Sequence, residues 1–240
     1  MKYASATYVE ETRLGFIFLR THTWQHHVLR VAINDLKRVI GEPLPQGGCL
    51  VDVGCGQGRS FRHLRDTFRP DRLIGLDADP HSVDLSRAEA KRENIPVELI
   101  VGDCAHIQLP DATADIIFCH QTFHHLVEQE RALDEFWRVL KPGGLLLFAE
   151  STKAYIDTWV IRWFFRHPMH VQKSADEYLD MLRGRGFVFE PSAVSLPYLW
   201  WSRSRDFGLL ERWGIKAAPP VGQREETLVN VAARKPLDAT

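Results

Sequence analysis

What the chain lacks narrows its class first. No apolar run is long enough to cross a bilayer: the strongest aromatic stretch, Trp159 to Phe165, is broken by Arg162, and a spanning helix needs about 20 apolar residues. The N-terminus carries no leader pattern, so a cytoplasmic location is expected. An excess of one charge is missing too. With 30 Lys and Arg against 31 Asp and Glu, the net charge is −1, which leaves no global footprint for nucleic acid. Cysteine is scarce. Cys49, Cys55, Cys104 and Cys119 show no C-x-x-C spacing and read as reduced thiols. Internal repeats and low-complexity segments are also absent.

What is present is an alternation of strand and helix signals. At 240 residues and 45% hydrophobic, one α/β domain with an elaboration is the simplest count. Apolar strand candidates are Cys49–Val53, Arg72–Leu76, Glu98–Val101, Ile116–His120, Gly144–Ala149, Phe187–Glu190 and Thr227–Ala233. Helix candidates at Ser60–Phe68, Pro80–Glu93, Glu128–Leu140 and Ser174–Gly184 lie between them, the last with Ser174 as N-cap and Glu177 three residues on. This order predicts a mostly parallel sheet with helices on both faces, and right-handed crossovers bring the strand ends to one edge.

The most informative stretch is Val51-Asp52-Val53-Gly54-Cys55-Gly56-Gln57-Gly58-Arg59. A buried strand ends in an acid and three alternating glycines, then leads into a helix whose first N–H groups are free. A dinucleotide loop reads G-x-G-x-x-G, whereas here the third glycine comes one residue early and position 59 is Arg. Pyrophosphate has no use for an acid at the strand end, while Asp52 can accept from an ammonium group. A cationic, phosphate-free ligand fits better.

D-V-G-C-G-Q-G-R resembles motif I of the class I S-adenosylmethionine (SAM)-dependent methyltransferases. That resemblance implies a Rossmann-like sheet of seven strands and SAM as cofactor, with Asp52, Gly54, Cys55, Gly56, Gln57 and Gly58 around the amino-acid end. In Ile74-Gly75-Leu76-Asp77-Ala78-Asp79, the acid at the end of the second strand can accept two hydrogen bonds from a ribose diol, so Asp77, with Ala78 beside it, is the ribose candidate. Asp79 before Pro80 reads as an N-cap. Val101-Gly102-Asp103-Cys104 resembles the family's adenine site, the Asp103 carboxylate taking the exocyclic amine and the Cys104 amide a ring nitrogen.

The stretch Ala114 to Leu126 resembles the family's fourth strand and the loop over the methyl group. The resemblance places His120 and Gln121 beside the methionine part. His124 or His125 can take a proton from a substrate hydroxyl if its pKa sits near 7. Leu133, Phe136, Trp137 and Leu140 then mark a buried helix face closed by Lys141-Pro142-Gly143-Gly144. Leu50 to Glu150 carries the likeness.

The flanks should choose the substrate. The expected organisation is an N-terminal helical cap over residues 1–47, a SAM-binding core over 48–150, and a substrate-side insertion with the last two strands over 151–240. His22, His26 and His27 lack an acid or cysteine at ligand spacing, so no metal is expected there. Aromatics with interleaved arginines recur in Tyr155–Pro168 and in Tyr198–Arg205, as they would around an apolar pocket or at a lipid interface. The fourth-strand loop offers neither an Asn/Asp-Pro-Pro-Tyr/Phe motif nor chelating acids. The expected function is O- or C-methylation of a small, hydrophobic or aromatic acceptor, with no nucleic-acid partner. The oligomeric state is open, a homodimer being one option. Rival readings are a SAM-binding regulator without catalysis and a nicotinamide-dependent oxidoreductase.

Overall fold

Apolar segments form a parallel sheet here because its central strands are covered on both faces. Strand β1 (Cys49–Val53) is buried at every residue and β4 (Ala114–His120) at all but one, the pattern of strands covered on both sides. The computed structural model describes residues 8–9, 12–197, 210, 213–217 and 219–239. The other strands are β2 (Arg72–Asp77), β3 (Glu98–Val101), β5 (Leu140–Ser151), β6 (Val194–Ser195) and β7 (Leu228–Arg234). They form one seven-stranded sheet in the order β3-β2-β1-β4-β5-β7-β6. β1 to β5 run parallel, while β7 is antiparallel to both β5 and β6. The expected Rossmann-like, mostly parallel sheet with helices on both faces is what the chain adopts.

Helices among the described residues include α1 (Arg13–Phe18), α2 (His22–Trp24), α3 (Arg30–Ile40), α4 (Phe61–Phe68), α5 (Pro80–Arg92), α6 (Gln129–Val139), α7 (Lys153–Ile156), α8 (Trp159–Phe164) and α9 (Ala175–Arg185). Apolar residues three and four apart give α6 and α9 their buried faces. Leu133, Phe136, Tyr178 and Leu182 pack on one side of the sheet, and Ile33, Leu36, Leu64 and Phe68 of α3 and α4 on the other. Helix starts follow the local chemistry. The Asp79 side chain accepts from the amides of His81 and Ser82 with Pro80 at N1, and Ser174 and Glu177 form a reciprocal capping box.

The sixth strand is not where the sequence pattern predicts it. Phe187–Glu190 makes only a single bridge, Val188 to Arg234, while β6 pairs with β7 at Val194 and Ser195. Phe187 is buried edge-on against Trp137, and Pro191, which has no N–H, opens a 3-10 turn that interrupts the ladder. β5 starts at Leu140, ahead of the predicted Gly144, with an irregular register against β4. The amphipathic run Val28–Ile40 passes through a π-helical turn, Gln25–Leu29, into α3. α3 lies on the sheet, where Asn230 of β7 donates to Asp35 at 2.8 Å. The aromatic cluster Tyr198–Arg205 lies outside the described residues.

Candidate active site

Strand order reverses between β2 and β4 at β1, and at such a switch point the carboxyl ends of the strands open a crevice. A cavity of about 340 Å³ lies there. The loop after β1 is shaped for it. The Gly54 and Cys55 amides donate to Leu76 O at 2.7 and 3.0 Å, tying the loop to β2. Gly54 has φ +69°, and a Cβ on it would stand 2.2 Å from the Thr122 side chain, so only glycine lets the β4 loop close in. Gly56 lines the cavity with open space before it and donates its amide to Asp77 Oδ2 at 2.8 Å.

Asp77, Ala78, Asp79, Asp103 and Cys104 share this cavity with Gly54, Gly56, Gln57 and Gln121. The Asp77 carboxylate is fixed by the Gly56 amide and, at 2.9 Å, by the Asp79 amide. Burial, opposed by those two hydrogen bonds, raises its pKa. Asp103 Oδ1 accepts from the Ala105 amide at 2.8 Å. Gln121 sits at φ +52° with its Oε1 accepting from Ser151 Oγ at 2.6 Å.

A smaller hollow of about 70 Å³ adjoins the cavity through Gly54, Gly56, Gln57, Gln121 and Thr122. Asp52, Cys55, Arg59, Ser60 and His120 line it. The Asp52 side chain is buried and accepts a hydrogen bond from Ser60 Oγ. Burial, opposed by Ser60 and reinforced by Asp77, lifts its pKa to about 7. His120 stacks on Phe118, meets Trp24 edge-on, and is held neutral by burial with a pKa near 4. Its buried Nε2 has no hydrogen-bond partner among the described residues. Gly58 lies apart from both spaces: a Cβ there would meet Phe61 at 2.6 Å and the Ser86 backbone at 3.1 Å, so its role is helix packing.

At the far end of the cavity the 3-10 turn Phe123–His125 carries both candidate catalytic histidines. Glu150, the fully buried acid at the end of β5, organises this turn. Its Oε1 accepts from the Thr122 and Phe123 amides at 2.9 and 2.8 Å, and its Oε2 lies 2.6 Å from His124 Nδ1. Burial favours protonation of Glu150, but the bonds from His124, Phe123 and Thr122 outweigh it and leave the carboxyl below its usual range. His125 and His167 are both held neutral chiefly by burial, His167 with a pKa of about 3. Glu150 announces itself only as an acid ending an apolar run, and His167 gives no local signal at all.

The flanking segments meet over this space. Gln57 Nε2 donates to Phe16 O at 3.1 Å, and the Val9 amide to His125 O at 3.0 Å. Thr12 donates to Phe164 O, and Phe18 meets Phe165 edge-on at 5.9 Å. Tyr8, Phe16, Phe18, Tyr155, Ile161 and Phe165 give the cavity an apolar wall.

A parallel sheet of this order with ligand-facing loops at its switch point is the class I methyltransferase fold. A crystal structure of a SAM-dependent methyltransferase from Aquifex aeolicus matches it with a TM-score of 0.62 at 19% identity, over 92% of this chain and 97% of that one. Residues 51–148 match the family described as a methyltransferase domain. A malonyl-[acyl-carrier protein] O-methyltransferase of Yersinia pestis is 31% identical over 135 residues, 54% of this chain and 48% of that protein. A fatty-acid O-methyltransferase of Mycolicibacterium smegmatis is 31% identical over 147 residues, covering 60% and 48%. The chain spans about half the length of these relatives.

The site's chemistry suits SAM. Gly56 leaves an open cradle, His120 with its unpartnered Nε2 lines the adjoining hollow, and Asp77, Asp79 and Asp103 line the cavity without any Lys or Arg among its described lining residues.

Proposed function

We propose that the chain is a SAM-dependent methyltransferase that methylates a small, hydrophobic or aromatic acceptor at oxygen or carbon and releases S-adenosylhomocysteine. The charge of the cavity carries this reading. Three carboxylates and no described cation line it, so a pyrophosphate meets repulsion where a sulfonium nucleoside meets attraction. In this assignment Asp77 and Ala78 hold the ribose, and Asp103 and the Cys104 amide hold the adenine. Asp52 takes the ammonium of the amino-acid end, with His120, Gln121 and the Gly54–Gln57 loop around it.

When bound, this cofactor supplies a methyl carbon made electrophilic by its sulfonium sulfur. The protein's own work is to exclude water, hold the acceptor in line and receive any proton it loses. The aromatic wall and the segments joined by the Gln57–Phe16 and Thr12–Phe164 bonds serve the first two tasks. His124 serves the third. With Nδ1 held by Glu150, Nε2 is the atom left to accept a proton, and the neutral His125 stands beside it at 4.4 Å between ring centroids. The fatty-acid specificity of one relative supports an apolar acceptor.

No helix among the described residues is long and apolar enough to cross a membrane; the proposed enzyme works in the cytoplasm without a nucleic-acid partner. Calorimetric titration with SAM, S-adenosylhomocysteine and NADH tests the assignment, followed by methyl-label transfer to apolar and polar acceptors. Binding of the first two but not NADH is expected. NADH binding alone would sink the reading, and labelling of polar acceptors only would remove the apolar substrate class.

A further inference from the structure

Three imidazoles meet in the wall of the cavity. His124 and His125 come from the turn after β4, and His167 comes from the segment after α8. Ring centroids lie 4.4, 5.1 and 4.7 Å apart for the pairs 124–125, 124–167 and 125–167. One nitrogen from each lies within 4.8 Å of the others, and no other group of three potential ligands is so placed among the described residues. All three line the cavity wall.

Their surroundings hold them in place. A metal-ligating histidine characteristically has its second nitrogen held by a carboxylate or a backbone group. His124 Nδ1 is held at 2.6 Å by Glu150, itself fixed by two amides, so Nε2 is the nitrogen presented. The Val9 amide donates to His125 O at 3.0 Å and fixes the backbone of the turn. Buried Gln172 braces the two segments that carry the cluster, donating to His124 O at 2.7 Å and to Pro168 O at 3.1 Å.

We propose that His124, His125 and His167 form a binding site for one divalent transition-metal ion, zinc foremost, with its fourth position open to the cavity. Three imidazoles without a carboxylate ligand suit zinc, copper, nickel or cobalt and not magnesium or calcium, which take oxygen. Three protein ligands plus an open position is the arrangement of catalytic rather than structural zinc. Zinc–nitrogen bonds of about 2.0–2.1 Å place tetrahedral ligands about 3.4 Å apart, so the cluster contracts by roughly 1 Å on loading. An oxygen of the acceptor would take the open position; that clause alone rests on the methyltransferase reading. Nε2 of His124 is then a ligand and not the proton acceptor, and an acceptor hydroxyl would release its proton to solvent on binding the ion.

The test uses the metal-stripped full chain without SAM, titrated with zinc by calorimetry and with cobalt by visible absorption. One equivalent is expected, with the intense cobalt spectrum of a tetrahedral site. His167→Ala should weaken binding at least about tenfold and Glu150→Gln by about 10–100-fold, with retained SAM affinity of each variant reporting its fold. The double variant His22→Ala/His26→Ala, which removes the stacked surface pair, should bind as the parent does. Absence of zinc binding, binding indifferent to His167→Ala, or binding lost with the surface pair overturns the site and returns His124 to the role of base. Zinc binding by a protein that ignores SAM would refute the methyltransferase reading and leave the metal site standing.

Discussion

Glu150 Oε2 and His124 Nδ1 stand 2.6 Å apart, both side chains closed off from solvent. The same carboxylate collects the amides of Thr122 and Phe123, so one acid at the end of β5 sets the path of the loop after β4. Replacing Glu150 with Ala leaves buried donors unmatched, a loss of about 3–5 kcal/mol. Urea denaturation should show that drop, and a change below about 1 kcal/mol would deny Glu150 this organising role.

Asp77→Ala should leave the fold intact and weaken SAM binding. The side chain is anchored by two amides, and a hydrogen bond to a charged group contributes about 1.5–3 kcal/mol. A rise in Kd of at least tenfold is expected by calorimetry, and an unchanged Kd in a folded variant removes Asp77 from the ribose site.

Gly54→Ala and Gly56→Ala should separate folding from ligand approach. At Gly54 a Cβ would stand 2.2 Å from Thr122, so the variant should lose several degrees of Tm. At Gly56 a Cβ meets nothing, and only φ +53° opposes it, a cost of about 1–2 kcal/mol. Gly56→Ala should therefore lose SAM affinity out of proportion to its smaller change in Tm. Equal losses in both assays for both variants would refute the distinction.

Asp52 should make stability fall as pH rises. Burial, against the Ser60 hydrogen bond and with help from Asp77, raises its carboxyl to about 7, from about 3.9 in an unfolded chain. Between those values the folded protein keeps a proton that the unfolded chain has released. Stability is thus greatest below about pH 4 for this group and declines by roughly 4 kcal/mol up to pH 7. Asp52→Asn should flatten the dependence of the urea midpoint on pH from 5 to 8, and an unaltered slope would count against the buried proton.

Legibility in the sequence followed locality. β1 and β3 have the bounds their apolar runs imply, because each run is cut by glycine or an acid. β6 escaped because its two residues are strand only through pairing with distant β7. The glycine loop, Asp77 and Asp103 stand at strand ends, where spacing and residue type suffice to single them out. His167 could not be found that way. Its place beside His124 and His125 is created by a segment returning over the cavity, and Gln172, which braces that return, carries no pattern of its own.

β7 lies between β5 and β6, pairing with β5 from Leu145 to Ser151. On the ribosome, β5 emerges long before its partner does. Until the chain has been translated past Arg234, Leu145, Leu146, Leu147 and Phe148 lie along a bare strand edge, the kind of template on which nascent chains aggregate. The order of synthesis therefore leaves this edge of β5 unpaired until its antiparallel strand arrives.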